Sequence, residues 1–299
     1  MDVVVTGSSG LIGSALMPAL EAAGHRAIGM VRRTPAAGAD EIRWDIDKGE
    51  IDAESLDRID AVIHLGGAGI GDKRWNAKYK KLLIESRTRS TSLLASTLAG
   101  LNTPPKVFVS GSAIGFYGDR GNQEITEESS AGTGFLTDLV VKWEGSAQSA
   151  VDAGIRTVFA RTGIVLSADG GALKKMLPLF KVGLGGKLGG GDQWMSWISI
   201  DDEVGALLHM LSSDLSGPVN LTAPDPVTNR DFTAALGRTL GRRTVMPVPA
   251  FGPRLLLGRE MADALLFEGA KIEPFRLLAD GYEFSHHDIE TALRAVLGR

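Results

Sequence analysis

The sequence predicts an α/β fold: a doubly wound parallel sheet with a smaller C-terminal region. Three observations lead there. The apolar run Val3–Val5 passes straight into Thr6-Gly7-Ser8-Ser9-Gly10-Leu11-Ile12-Gly13 and then into a helical pattern. Short apolar strands and helical stretches go on alternating as far as Arg161, which is the pattern of a parallel sheet covered on both faces. The chain has 299 residues, enough for one large or two intimate domains with a buried core.

The elements follow in order. Val3–Val5 is a fully apolar strand. Leu11, Ile12, Ala15, Leu16 and Leu20 recur at helical spacing and Gly24 supplies a stop, with Pro18 placed to kink the helix or remove one hydrogen bond. Ala27–Val31 and Ala61–Leu65 read as strands on either side of a polar link, 34–60. Lys78–Leu98 reads as a long helix, Val107–Ser110 as a strand, Phe135–Ala153 as a helix and Thr157–Arg161 as a strand. A glycine-rich loop, 183–191, reads as a mobile lid; its Gly186-Lys187 pair lacks the spacing of a P-loop. Pro218–Leu221 is a late strand, and 226–299 a smaller mixed region.

Composition narrows the classes. About 43% apolar and 23% charged residues are ordinary for a globular chain. The net charge of -4 advertises no nucleic-acid partner. No apolar run reaches the roughly 18 residues that span a bilayer, and no leader is apparent, so no membrane partner and a cytoplasmic location are expected. Cysteine is absent, which removes disulfides, thiolate metal sites and cysteine nucleophiles. The histidines are scattered apart from His286 and His287, which are adjacent and do not share a helix face, so no metal is expected.

Gly7, Gly10 and Gly13 at a strand-to-helix junction have a mechanical reading. The first glycine allows the sharp turn, the second lets backbone approach a pyrophosphate, and the third lets helix and strand pack closely. The unpaired N–H groups of the helix then face the phosphates. Thr6, Gly7, Ser9, Gly10, Leu11, Ile12 and Gly13 are the expected cradle of a Rossmann-type dinucleotide site. The second strand ends in Arg32 and Arg33 with no carboxylate, which suits the 2′-phosphate of NADP(H) over the 2′-hydroxyl of NAD(H). Asp45 and Ile46 are placed to meet the adenine, and Leu65, Gly66, Gly67 and Ala68 to line the cofactor with backbone.

The chain resembles the extended short-chain dehydrogenase/reductases, the NAD(P)-dependent epimerase/dehydratase group. The resemblance rests on TGSSGLIG, Asp45-Ile46, HLGGA at 64–68, VSGSAIGFYG at 109–118 and SWISIDDEV at 196–204. KRWNAKYKKLLIESRTRST (73–91), GFLTDLVVKWE (134–144), GGKLGGGDQWMSWISIDD (185–202) and NLTAPDPVTNRDF (220–232) resemble one atypical branch of that group. The resemblance implies a Rossmann domain at 1–165, with 198–225 returning to it, and a substrate-binding portion at 166–197 and 226–299. It also implies a homodimer through the helices at 78–98 and 135–153.

In that group a serine and a Tyr-x-x-x-Lys pair handle the substrate proton. Ser112 falls at the serine position. The Tyr-x-x-x-Lys frame does not exist: it reads Phe135 to Leu139 or, shifted by one, Leu136 to Val140, and none of the three tyrosines has a lysine four residues on. Tyr117 lies past the carboxyl end of a strand and is the candidate proton carrier, with backbone-bonded packing as its alternative. Arg87 stands near the helix position where the group often has asparagine, ready for a substrate phosphate or carboxylate, or for a helix bridge. Gln193, Trp194, Ser196 and Trp197 look like a substrate rim, with core packing the alternative for Trp197.

Two functions remain open. One is an NADP(H)-dependent epimerase- or reductase-like enzyme acting on a small carbonyl, alcohol or nucleotide-sugar. The other is a catalytically silent NADP(H)-binding redox sensor.

Overall fold

A computed structural model describes residues 1–244 and 246–299. In chain order the strands are β1 (Asp2–Thr6), β2 (Arg26–Val31), β3 (Glu41–Asp45), β4 (Glu50–Ile51), β5 (Ala61–His64), β6 (Val107–Ala113), β7 (Glu124–Ile125), β8 (Arg156–Thr162), β9 (Ile164–Leu166), β10 (Trp194–Met195), β11 (Trp197–Ser199), β12 (Gly217–Leu221), β13 (Val227–Thr228) and β14 (Lys271–Ile272). The helices are α1 (Leu11–Ala22), α2 (Ala77–Ala99), α3 (Phe135–Gly145), α4 (Gln148–Asp152), α5 (Gly171–Lys181), α6 (Ile200–Ser212), α7 (Asn229–Leu240), α8 (Phe251–Leu257), α9 (Arg259–Ala262), α10 (Phe275–Ala279) and α11 (Ile289–Leu297).

One sheet of order β12-β8-β6-β5-β1-β2-β3-β4 organises the molecule, parallel except for β4 at its edge. The order reverses between β1 and β5, so the topological switch point lies where their carboxyl ends meet. Alternation of side chains splits the core into two layers. Val3, Val5, Ile63, Val109 and Ala160 face α1 and α6. Val4, Val62 and Phe108 face Leu94, Leu98 and Ala150 on α2 and α4. A separate core under α5, α7 and α11 gathers Leu173, Phe180, Trp197, Phe232 and Leu293.

Three local readings change. The stretch read as one helix over Phe135–Ala153 is two, broken after Gly145, where glycine weakens the helix and the Ser146 hydroxyl donates to the Lys142 carbonyl at 2.7 Å. The polar link at 34–60 contains β3 and β4. The glycine loop at 183–191, read as a lid, is tied down: Gly189 N–H donates to the Val248 carbonyl at 3.0 Å, and Val248 N–H to the Lys187 carbonyl at 2.8 Å. Among the described residues no helix is long and apolar enough to cross a membrane.

Candidate functional site

The glycine turn occupies the switch point. Gly7 has φ +68°, and a Cβ there would lie 3.0 Å from the Leu65 carbonyl at the end of β5. A Cβ on Gly13 would lie 2.2 Å from the Gly7 oxygen, so the third glycine lets α1 start against the turn. Gly10 differs: a Cβ there meets only the Gly7 oxygen, at 3.2 Å, and otherwise points into open space. Ser9 and Gly10 are exposed at the head of α1. Leu11 closes the other side, packing against Gly170, and Ile12 packs into the core beneath.

Thr6 supports this turn without facing it. Its hydroxyl is fully buried, accepts from Leu65 N–H at 3.2 Å and lies 2.6 Å from His64 Nδ1. His64 Nε2 lies 3.0 Å from the Thr91 hydroxyl and 3.2 Å from that of Ser90. Burial, with the nearby Arg87 charge, drives the His64 pKa down to about 4, so the ring is neutral. A neutral histidine thus fastens β5 to both β1 and α2 directly behind the turn.

The neighbouring strand ends supply the remaining residues. Arg32 and Arg33 are both exposed past β2. Arg33 is committed, since its Nη1 and Nη2 donate to the Glu41 carboxylate at 2.8 and 2.5 Å. Arg32 makes no ion pair among the described residues. Asp45 accepts from Lys48 N–H at 3.1 Å. Ile46 lines a cavity of about 610 Å³ together with Thr88 and Arg89. Beyond β5, Ala68 N–H donates to Ser86 Oγ at 3.1 Å, and a Cβ on Gly67 would sit 3.1 Å from Arg87 Cζ.

Arg87 lies between that loop and the Trp143 ring, whose centroid is 5.0 Å from its Cζ. Its Nη1 donates to the Leu83 carbonyl at 3.2 Å, while Nε is buried without a partner among the described residues. Burial lowers its pKa to about 10, which leaves it cationic near neutrality. Leu83 lies on α2 with Arg87, and Trp143 on α3, so Arg87 spans two helices.

The proton-handling candidates form a buried network. Ser112 Oγ donates to Glu144 Oε1 at 2.6 Å. Glu144 is gripped by Arg161, Nε to Oε1 at 2.8 Å and Nη2 to Oε2 at 2.9 Å. Arg161 Nη1 donates to the Tyr117 hydroxyl at 2.9 Å, which in turn donates to Asn220 Oδ1 at 2.7 Å. Tyr117 is 0% exposed, and burial raises its pKa above that of a free phenol. The sequence offers this phenol as a proton carrier or as a packing tyrosine, and here it is packed and held by side chains rather than by backbone. The phenol has both its hydrogen-bonding directions filled and no surface to offer. Glu144, Arg161 and Asn220 were not read as site residues in the sequence, because nothing in their spacing shows that α3, β8 and β12 converge.

The four residues read as a substrate rim take different places. Trp197 is 0% exposed, and its indole N–H donates to the Asp225 carbonyl at 3.0 Å; it is core, the alternative reading. Ser196 is buried and joins two segments, donating to the Ala270 carbonyl at 2.7 Å and accepting from Ile272 N–H at 3.0 Å. Gln193 bonds the Leu266 carbonyl at 2.7 Å. Trp194 donates to Asn122 at 2.9 Å and remains half-buried.

A glycine-lined turn at the switch point of a doubly wound parallel sheet defines a Rossmann-type α/β protein. Comparison with known proteins makes this specific. The model of the NAD dependent epimerase/dehydratase family matches residues 3–221, and the chain belongs to that family. A domain of unknown function, DUF1731, matches residues 248–296. The chain is similar to epimerase family protein ML0860 of Mycobacterium leprae, 44% identical over 97% of this chain and 94% of the relative. It is also similar to human epimerase family protein SDR39U1, 38% identical over 99% of this chain and all of the human one. A crystal structure of human SDR39U1 (isoform 2) with NADPH superimposes with a TM-score of 0.92, at 35% identity and full coverage of both chains.

Proposed function

We propose that this chain binds NADP(H) and is an epimerase- or oxidoreductase-like protein for a small carbonyl, alcohol or nucleotide-sugar. The observations that carry the reading are the open face of Gly10 at the head of α1 and an exposed Arg32, past the end of β2, that makes no ion pair among the described residues. A pyrophosphate fits where a Cβ would project into space, and a guanidinium fits a 2′-phosphate. The NADPH held by the human relative supports the same choice. Thr6, Leu65, Gly66, Gly67 and Ala68 would hold the turn and line it with backbone. Segments 166–197 and 226–299 would form the substrate side.

When bound, a nicotinamide supplies or accepts hydride. The chain's own part in proton handling rests on Ser112. Because its proton points at Glu144, Ser112 presents an acceptor oxygen, suited to orienting a substrate hydroxyl. Leu136 and Val140 cannot replace a tyrosine and lysine, and loss of a positioned acid or base costs about 10²–10⁴-fold in rate. That deficit, together with the filled Tyr117 hydroxyl, favours a second reading: a silent NADP(H) sensor.

Fluorescence titration with NADPH and NADH tests the cofactor, and equal affinities would defeat the NADP(H) assignment. Loss of nicotinamide absorbance over a panel of carbonyls separates the two readings. Turnover supports the enzyme, and tight binding without turnover supports the sensor.

A further inference from the structure

We infer that the surface formed by α5, the 182–191 loop and α8 docks on an anionic lipid bilayer. Two independent distributions coincide there. Residues 170–191 and 232–259 contain nine Lys and Arg and no Asp or Glu, in a chain whose net charge is -4. The seven most exposed large apolar side chains among the described residues lie in the same two segments. They are Leu255 at 79%, Leu256 at 77%, Phe251 at 74%, Val182 at 68%, Met246 at 64%, Leu184 at 58% and Leu179 at 54%.

The fold brings the two segments together. Val248 pairs with Leu188, and the Arg242 Nε donates to the Lys181 carbonyl at 2.9 Å. Gly186 packs so closely on Met246 that a Cβ would strike its carbonyl. Three residues past Val248 the chain enters α8, where Phe251 and Leu255 stand four apart on the outer face. Pro253, Arg254 and Leu257 are half-buried on the inner one.

Some of the basic groups are neutralised. Arg254 and Arg259 pair with Asp263, Arg238 with Glu290 and Lys175 with Asp72. Lys174, Lys181, Lys187, Arg242 and Arg243 make no ion pair among the described residues. Apolar side chains that protrude, ringed by uncommitted cations, suit the headgroup boundary of an anionic membrane. A helical peptide partner would need a groove, and α8 stands outward instead. Docking of this kind is separate from crossing the bilayer, for which no helix here is suited.

The test is sedimentation of the full chain with vesicles of phosphatidylcholine alone or mixed with phosphatidylglycerol. Binding to the mixed vesicles should exceed that to the neutral ones by about tenfold or more and fall as salt is raised. The triple variant Phe251→Ser/Leu255→Ser/Leu256→Ser should lose it. Arg242→Gln/Arg243→Gln should weaken it by about fivefold per charge removed. All five side chains are exposed, so the variants should melt as the wild type does, which circular dichroism checks. Equal binding to both vesicle types, no binding to either, or an unaffected triple variant would overturn the inference. So would a wild-type dimer that ignores vesicles and that the triple variant dissociates, since the apolar surface would then serve a second copy.

Discussion

Arg161 and Glu144 form a two-pronged ion pair across the carboxyl end of the sheet, with side chains only 5% and 12% exposed. The Arg161 guanidinium also lies over the Phe116 ring, 3.5 Å from its centroid. Desolvating two charges offsets most of their attraction, so such a pair contributes little net stability; removing one partner is what costs. Glu144→Ala leaves Arg161 buried and unpaired and should destabilise the fold by about 3–5 kcal/mol. Replacing both, as Glu144→Leu/Arg161→Met, should cost less than the single change. Urea unfolding of the two variants decides it. A double variant less stable than Glu144→Ala would mean that the network stabilises the fold beyond satisfying its own charges.

Gly10 and Gly13 should respond differently to the same added methyl. At Gly13 the new carbon meets backbone, so Gly13→Ala should lower stability by about 1–3 kcal/mol or more. At Gly10 the methyl enters the space reserved for pyrophosphate. Gly10→Ala should keep its melting temperature and lose NADPH affinity by about tenfold or more, some 1.4 kcal/mol. Thermal melts run beside NADPH titrations separate the effects, and a Gly10→Ala protein with unchanged affinity would place the phosphates elsewhere.

Arg32 and Arg33 are adjacent but not equivalent. Glu41 already occupies the fork of Arg33. Arg32→Ser should reduce NADPH affinity about 10- to 100-fold, the worth of hydrogen bonds to a charged group at about 1.5–3 kcal/mol. NADH affinity should stay nearly constant. Arg33→Ser should have the smaller effect on NADPH. Calorimetric titration of both variants with both nucleotides tests the ranking, and a larger loss from Arg33→Ser would mean that Glu41 releases its partner on binding.

The parts of this protein that were readable in advance are those governed by local sterics. A glycine triplet at a strand-to-helix junction needs no partner to be recognised, because Gly7 and Gly13 are demanded by backbone within the turn and its neighbour. Strands such as Val3–Val5 declare themselves by apolar content, since a parallel sheet is buried on both faces. What was not legible depends on tertiary contact. Tyr117 meets Asn220 across 103 positions, and Glu144 meets Arg161 from a different layer. Trp197 sits in a run of polar and aromatic residues that reads equally well as rim or core, and only the packing of α5 and α7 decides. The basic, acid-free stretches at 170–191 and 232–259 were visible as sequence, but their adjacency was not.

Glu203 and His64 should give the protein a stability that falls above neutrality. Glu203 is 0% exposed in the first turn of α6. One carboxyl oxygen accepts from the Thr162 hydroxyl at 2.8 Å, and the other has no partner among the described residues. Burial pushes its pKa from the ordinary 4.5 up to about 8, so the native state keeps a proton that the unfolded chain gives up. This contribution is complete below pH 4.5 and is lost as pH rises towards 8. His64 acts in the opposite sense. Its pKa drops from 6.5 to about 4, so its contribution is complete above 6.5 and is lost on acidification. Between 4.5 and 6.5 the two slopes cancel, and from 6.5 to 8 only that of Glu203 remains. Stability should therefore decline there by about 1.4 kcal/mol per pH unit from this one group. Glu203→Gln should abolish that decline while leaving the acid limb to His64. Urea unfolding at intervals across this pH range provides the measurement. A wild type and a Glu203→Gln variant with parallel profiles above pH 6.5 would show that the buried carboxyl is already ionised in the native state.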